Sequence, residues 1–115
     1  MKSLLSFLFI VFLAGPYTVY GQWQAINSYP GGPTDGTASF VIDGKVYVGG
    51  GIGQNSFYEL DPETDTWTRK ASIPGNVNRG WVIGFSIAGK GYMGGGDKTG
   101  SFDVTNDFYS YDPAT

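Results

Sequence analysis

Apolar residues in this chain come in short runs that glycine, proline and Asn/Asp pairs interrupt, and nowhere past residue 22 do they keep a helical period. Thr37–Ile42 is nearly all small or apolar, which predicts a strand covered on both faces. Asp43-Gly44 then reads as a two-residue hairpin turn. Lys45–Gly50 is a second strand, with Val46 and Val48 on one face and Tyr47 on the other. Phe57–Asp61 is a third, closed by Pro62-Glu63-Thr64, where proline fixes the turn. Asp65–Lys70 is a fourth, anchored by Trp67. The pattern then starts again as Val82–Ile87, Lys90–Gly95 and Phe108–Asp112, and the same spacing puts its fourth strand beyond Thr115. The side chains that recur at matched positions predict the core: Phe40, Ile42, Val46, Tyr47, Val48, Trp67, Phe85, Ile87, Tyr92 and Phe108.

The repeat is detailed. Phe40, Ile42, Gly44, Lys45, Tyr47 and Gly49 return as Phe85, Ile87, Gly89, Lys90, Tyr92 and Gly94. Phe57, Tyr58, Asp61 and Pro62 return as Phe108, Tyr109, Asp112 and Pro113. Trp23, Ser28, Pro30 and Gly31 anticipate Trp67, Ser72, Pro74 and Gly75. The copies differ most after their glycines, where Ile52–Ser56 becomes the longer Asp97–Asp107. A surface loop absorbs such an insertion at small entropic cost.

Composition sharpens the picture. Glycine is 19 of 115 residues and aromatics are 17%, which suits pleated sheets joined by tight turns. A net charge of −3 without a basic cluster argues against nucleic acid as a partner. Cysteine and histidine are both absent, which removes thiolate chemistry, the commonest transition-metal ligand and the usual neutral-pH base. Residues 1–21 (MKSLLSFLFIVFLAGPYTVYG) have a basic start, a short apolar run and small residues at Val19 and Gly21. They predict a signal peptide cleaved before Gln22, a secreted or periplasmic product, and no membrane span after cleavage.

A glycine pair closing a strand (Gly49-Gly50, Gly94-Gly95), a tyrosine two residues earlier (Tyr47, Tyr92), the Tyr-x-x-Asp-Pro block and a spaced tryptophan together resemble the kelch motif. The resemblance covers residues 23–115, and the form FSIAGKGYMGGG…NDFYSYDPAT is similar to secreted bacterial kelch proteins described as galactose-oxidase-like. It implies an all-β fold of antiparallel four-stranded blades in a β-propeller. Residues 22–115 would supply a closing strand at Trp23–Ile26, one full blade and one incomplete blade, so that further kelch blades are needed to close the ring. In such propellers an opening strand often completes the last blade. The copper site implied by the galactose oxidase label needs histidine and a cysteine-linked tyrosine, so nothing of it carries over to this chain. No metal or other cofactor is expected.

Several residues invite a chemical reading. Gly49–Gly51 lacks phosphate-loop spacing and fits close backbone packing. Asp61, Glu63 and Asp65 alternate like a calcium loop but lack its glycine and its final glutamate, and a turn accounts for them. Asp97, Lys98 and Asp103 lie in the longer second-copy loop, either as a ligand site or as a solvated loop. Arg79 stands where the first copy has Thr34. It could grip a carboxylate or a sugar at the channel mouth, or it could bond carbonyls of a neighbouring blade. Trp81 could stack on a sugar ring or belong to the core. These residues predict a recognition module for a protein or glycan. One alternative is part of a carbohydrate-active enzyme, a mutarotase or oxidase type, whose catalytic residues lie in other blades. A fragment without independent function is another.

Overall fold

The computed structural model describes residues 20–75, 79–98 and 103–115, so the expected signal peptide falls almost wholly outside the described residues. Nine strands follow in chain order: β1 (Thr37–Ile42), β2 (Lys45–Gly50), β3 (Phe57–Asp61), β4 (Thr66–Lys70), β5 (Arg79–Gly80), β6 (Ile83–Ile87), β7 (Lys90–Gly94), β8 (Asp97–Lys98) and β9 (Phe108–Tyr111). β1 to β4 form an antiparallel four-stranded meander, and β6, β7 and β9 repeat its first three strands. β5 and β8 make a separate two-stranded ribbon. Among the described residues the chain is all β, as its pattern predicts.

The turns follow from the residues in them. Asp43 (φ 48°) and Gly44 (φ 74°) are both left-handed, which matches the twist of the flanking strands. Asp61 Oδ1 accepts the Glu63 amide at 2.9 Å, and Asp112 Oδ1 accepts the Ala114 amide at 2.9 Å. The same aspartates meet Lys45 and Lys90 across the sheet, so one ion pair occurs in both copies. Asp65 (φ 51°) lies in the turn before β4, and its carboxylate accepts the Asn27 amide. Asp61 and Asp65 thus serve different partners, as in a turn.

The two sheets stack face to face. Ala38, Phe40 and Ile42 of β1, Tyr47 of β2 and Phe57 of β3 are buried on one face of the first sheet. Met93, with Tyr109 and Tyr111, closes over them from the second. Gly91 lets β7 approach, since a Cβ there would sit 2.1 Å from the Phe40 ring. Aromatic pairs fill the seam: Phe40 stacks on Tyr47 at 5.4 Å, and Tyr111 meets Phe57 edge-on at 4.9 Å. Each such pair contributes about 0.5–1.5 kcal/mol beyond its buried area. Burial also pushes the Tyr47 hydroxyl above its ordinary range, and its 2.7 Å bond to Glu59 adds to the shift.

The structure corrects three expectations. β1 is not covered on both faces: Thr37, Ser39 and Val41 are exposed in strict alternation with the buried residues, because only one face meets the second sheet. Phe85 (48% exposed), Ile87 (62%) and Phe108 (50%) are not core residues. They match Phe40, Ile42 and Phe57 in the repeat, but no layer among the described residues covers their face. Val46, Val48 and Trp67 are half-buried because they lie on the face of the first sheet turned away from the second, and Tyr92 is half-buried against Phe85, on which it stacks. Trp23–Ile26 forms no strand, and Trp23 is fully exposed.

Candidate site at the loop end of the blades

The candidate residues gather where the chain enters β6 and leaves β2 and β7. Arg79 and Gly80 pair with Lys98 and Asp97, and backbone bonds from Gly51 to Arg79 O (3.0 Å) and from Val82 to Gly36 O (3.3 Å) lock the neighbouring loops together. Trp81 sits at the centre in a left-handed conformation (φ 58°) with its side chain 63% exposed. Such a backbone costs a bulky residue about 1–3 kcal/mol. Gly36 and Gly96 make room for it, because a Cβ on Gly36 would lie 2.6 Å from Trp81 N and one on Gly96 3.3 Å from its carbonyl. The result is an indole projected into solvent from a rigid base.

Arg79 takes the opposite role. It is 1% exposed, and its Nη1 and Nη2 donate to the two Asp107 oxygens at 2.8 Å each. Nη1 also lies 3.4 Å from Thr105 Oγ1, and the Tyr109 ring is 5.7 Å from the guanidinium carbon. The Tyr109 hydroxyl donates to Asp107 at 3.0 Å. The Arg79 bonds hold the Asp107 carboxyl well below the usual carboxylate range, against some desolvation, and Asp107 in turn raises Arg79. Of the two readings of Arg79, the geometry favours the structural one: its guanidinium is spent on a carboxylate of its own chain, fastening the long loop to β5.

The remaining candidates separate by environment. Asp97 Oδ1 is buried beside Gly80 without a hydrogen-bond partner among the described residues, a costly state for a carboxylate oxygen. Lys98 and Asp103 are exposed, and the Lys98 amide donates to Asp103 O at 3.0 Å. The structure thus brings Trp81, Asp97, Lys98 and Asp103 to one end of the blades, and removes Arg79 from the contact surface. Sequence reasoning missed Asp107 as the Arg79 partner. The signal was present: the first copy has Thr34 and Ser56 at these two positions, and the second has Arg79 and Asp107, so both charges enter together.

Residues 33–74 match the Kelch motif model. The chain is 37% identical over 84 residues to an N-acetylneuraminate epimerase of Shigella sonnei (strain Ss046) and, at the same identity, to one of Escherichia coli (strain K12). Each match covers 65% of this chain and 23% of the relative, so the chain spans about a quarter of the length of the curated relatives it matches. A solved structure described as "Structure of YjhT" superposes with a TM-score of 0.59 at 32% identity, covering 67% of this chain and 25% of that one. This chain accordingly carries a kelch motif, and its fold is that of antiparallel kelch blades of the kind found in β-propellers.

Proposed function

We propose that this chain forms two blades of a kelch propeller that acts on an acidic amino sugar of the N-acetylneuraminate type, interconverting its anomers. The observation that carries this reading is the 37% identity over 84 residues to proteins named N-acetylneuraminate epimerase. The geometry supports a defined share of the work. Trp81 offers an apolar platform for a sugar ring. Asp35, Asp97 and Asp103 outnumber Lys98 in these loops, so the sugar's carboxylate points away from them, toward a cation on another blade.

Mutarotation needs a proton donor and an acceptor at the ring oxygen and the anomeric hydroxyl. The sequence has no histidine, and Asp61 and Asp107, the carboxylates with depressed pKa values, are both held down by cations. Neither of these two carboxylates is poised to take up a proton near neutral pH, and on this reading the proton-transfer groups come from other blades. Recognition without turnover would use the same platform. Saturation-transfer NMR with N-acetylneuraminate tests the contact: transfer to the ring protons should occur with the native chain and vanish in Trp81→Ala. Equal transfer in both proteins would remove Trp81 from the site.

A further inference from the structure

The two glycine-rich loops meet over Gly80. Ile52 and Asp97 are matched positions of the repeat, each following a run of three glycines at residues 49–51 and 94–96. Their side chains approach Gly80 together: a Cβ there would lie 2.8 Å from Ile52 Cγ1 and 3.2 Å from Asp97 Oδ1. Blade one has Asp35 at the position of Gly80, so the missing side chain is what lets the two loops meet. Backbone bonds fix the arrangement. Ile52 N donates to Asp35 O at 3.0 Å and Gly51 N to Arg79 O at 3.0 Å, while Asp97 stands opposite Gly80 in the β5–β8 ribbon.

Asp97 is also bridged to Val104, directly opposite on its other side. Residues directly opposite in antiparallel pairs send their side chains to one face. Ile52 against Gly80, then Asp97, then Val104 therefore form a row across one face of the ribbon, about 10 Å from end to end. The outer two are apolar yet exposed, Ile52 by 43% and Val104 by 82%.

The carboxylate in the middle is the unsatisfied part of this row. Asp97 Oδ1 is buried and accepts no hydrogen bond among the described residues. Asp97 as a whole is half-buried and its Oδ2 is not enclosed, so the carboxylate is reached from that side. A partly desolvated carboxylate is costly without a partner, and a cation placed against it recovers part of that cost. Asp35 and Asp103, both exposed, add two negative charges to these loops, against one lysine, Lys98. The row thus repels an anion, and a purely apolar ligand would leave Asp97 unpaired. A lysine side chain matches it, since its four-carbon stem covers apolar surface while its ammonium reaches the charge. We infer that this row is an interaction site for a lysine side chain of a protein partner, with the stem on Ile52 and Val104 and the ammonium on Asp97. The site does not use Trp81 and stands apart from the sugar reading.

Nα-acetyl-lysine amide is the probe, titrated at low salt into the full chain carrying isotope-labelled isoleucine and valine methyl groups. A saturable shift of the Ile52 and Val104 methyl signals is expected. Nα-acetyl-norleucine amide keeps the stem without the charge, and methylammonium keeps the charge without the stem; each should bind about tenfold more weakly or worse. Asp97→Asn should weaken the lysine probe by about tenfold, as loss of a hydrogen bond to a charged group does. Val104→Ser should weaken it by about threefold through the lost stem contact. That side chain is too exposed to affect packing, so this variant decides the matter even if Asp97→Asn disturbs the ribbon. The inference is overturned if the lysine probe leaves both methyl signals unmoved, if the norleucine amide moves them equally, or if the probe binds Val104→Ser as tightly as the native chain. Displacement of the probe by calcium at a lower concentration than the probe itself requires would make Asp97 a metal ligand, and would also overturn it.

Discussion

Replacing Asp107 with asparagine tests the frame that holds the loop end together. Arg79 is 1% exposed, so the substitution leaves a buried guanidinium with an amide oxygen and the more distant Thr105 hydroxyl and Gly95 carbonyl, at 3.4 and 3.5 Å. Breaking a fully buried pair costs about 3–5 kcal/mol. The Asp107 side chain, however, is 41% exposed, and solvent screens its half of the pair. The expected loss is therefore about 2 kcal/mol, between the buried and the surface limits. Urea unfolding should show a lower midpoint with an unchanged slope, and thermal melting should fall by about 10 °C for a domain of this size.

The pH dependence of the loss identifies its cause. Asp107 has a depressed pKa in the folded chain, so its contribution is complete above the unfolded value of about 3.9. It is lost progressively as pH falls from there toward the folded value. Native and Asp107→Asn proteins should therefore converge below about pH 4. A deficit under about 0.5 kcal/mol at pH 7, or one that is the same at pH 7 and pH 3, would refute the charge-pair reasoning.

Three further outcomes follow from the packing. Gly91→Ala drives a methyl into the Phe40 ring and should cost about 1–3 kcal/mol by overpacking, read as a lower melting temperature. Trp81→Gly relieves the left-handed strain and should leave stability unchanged or raise it by about 1 kcal/mol, while the sugar contact is lost; a large destabilisation would make Trp81 a packing residue. Phe85→Ser, on the exposed face, should cost under about 1 kcal/mol, against about 3–5 kcal/mol for Phe40→Ala at the matched buried position. Equal losses would show that the two faces are covered alike.

Much of the fold was legible because turn chemistry and strand period are local. Asp43-Gly44 and Pro62 set the turns, and the observed strands start and stop within a residue or so of the expected ones. The two-residue strands β5 and β8 escaped notice because neither has a period; they exist only through their pairing with each other. Burial was half legible. The repeat equates Phe40 with Phe85, but whether either is covered depends on which sheet lies opposite, and that is a tertiary fact. The candidate site divided the same way. Trp81 and Asp97 occupy the loop end expected of them, whereas the role of Arg79 turned on Asp107, a partner far along the chain that its own neighbours do not reveal.

The chain has three tryptophans in three settings: Trp23 fully exposed and outside any strand, Trp67 bonded to Asn27, and Trp81 projecting from the loop end. Their indole N–H signals in a nitrogen-15 correlation spectrum report on each separately during a titration with N-acetylneuraminate. A saturable shift of the Trp81 signal is expected, with Trp67 unmoved. A spectrum in which Trp81 stays fixed, or in which Trp67 moves as much as Trp81, would contradict it.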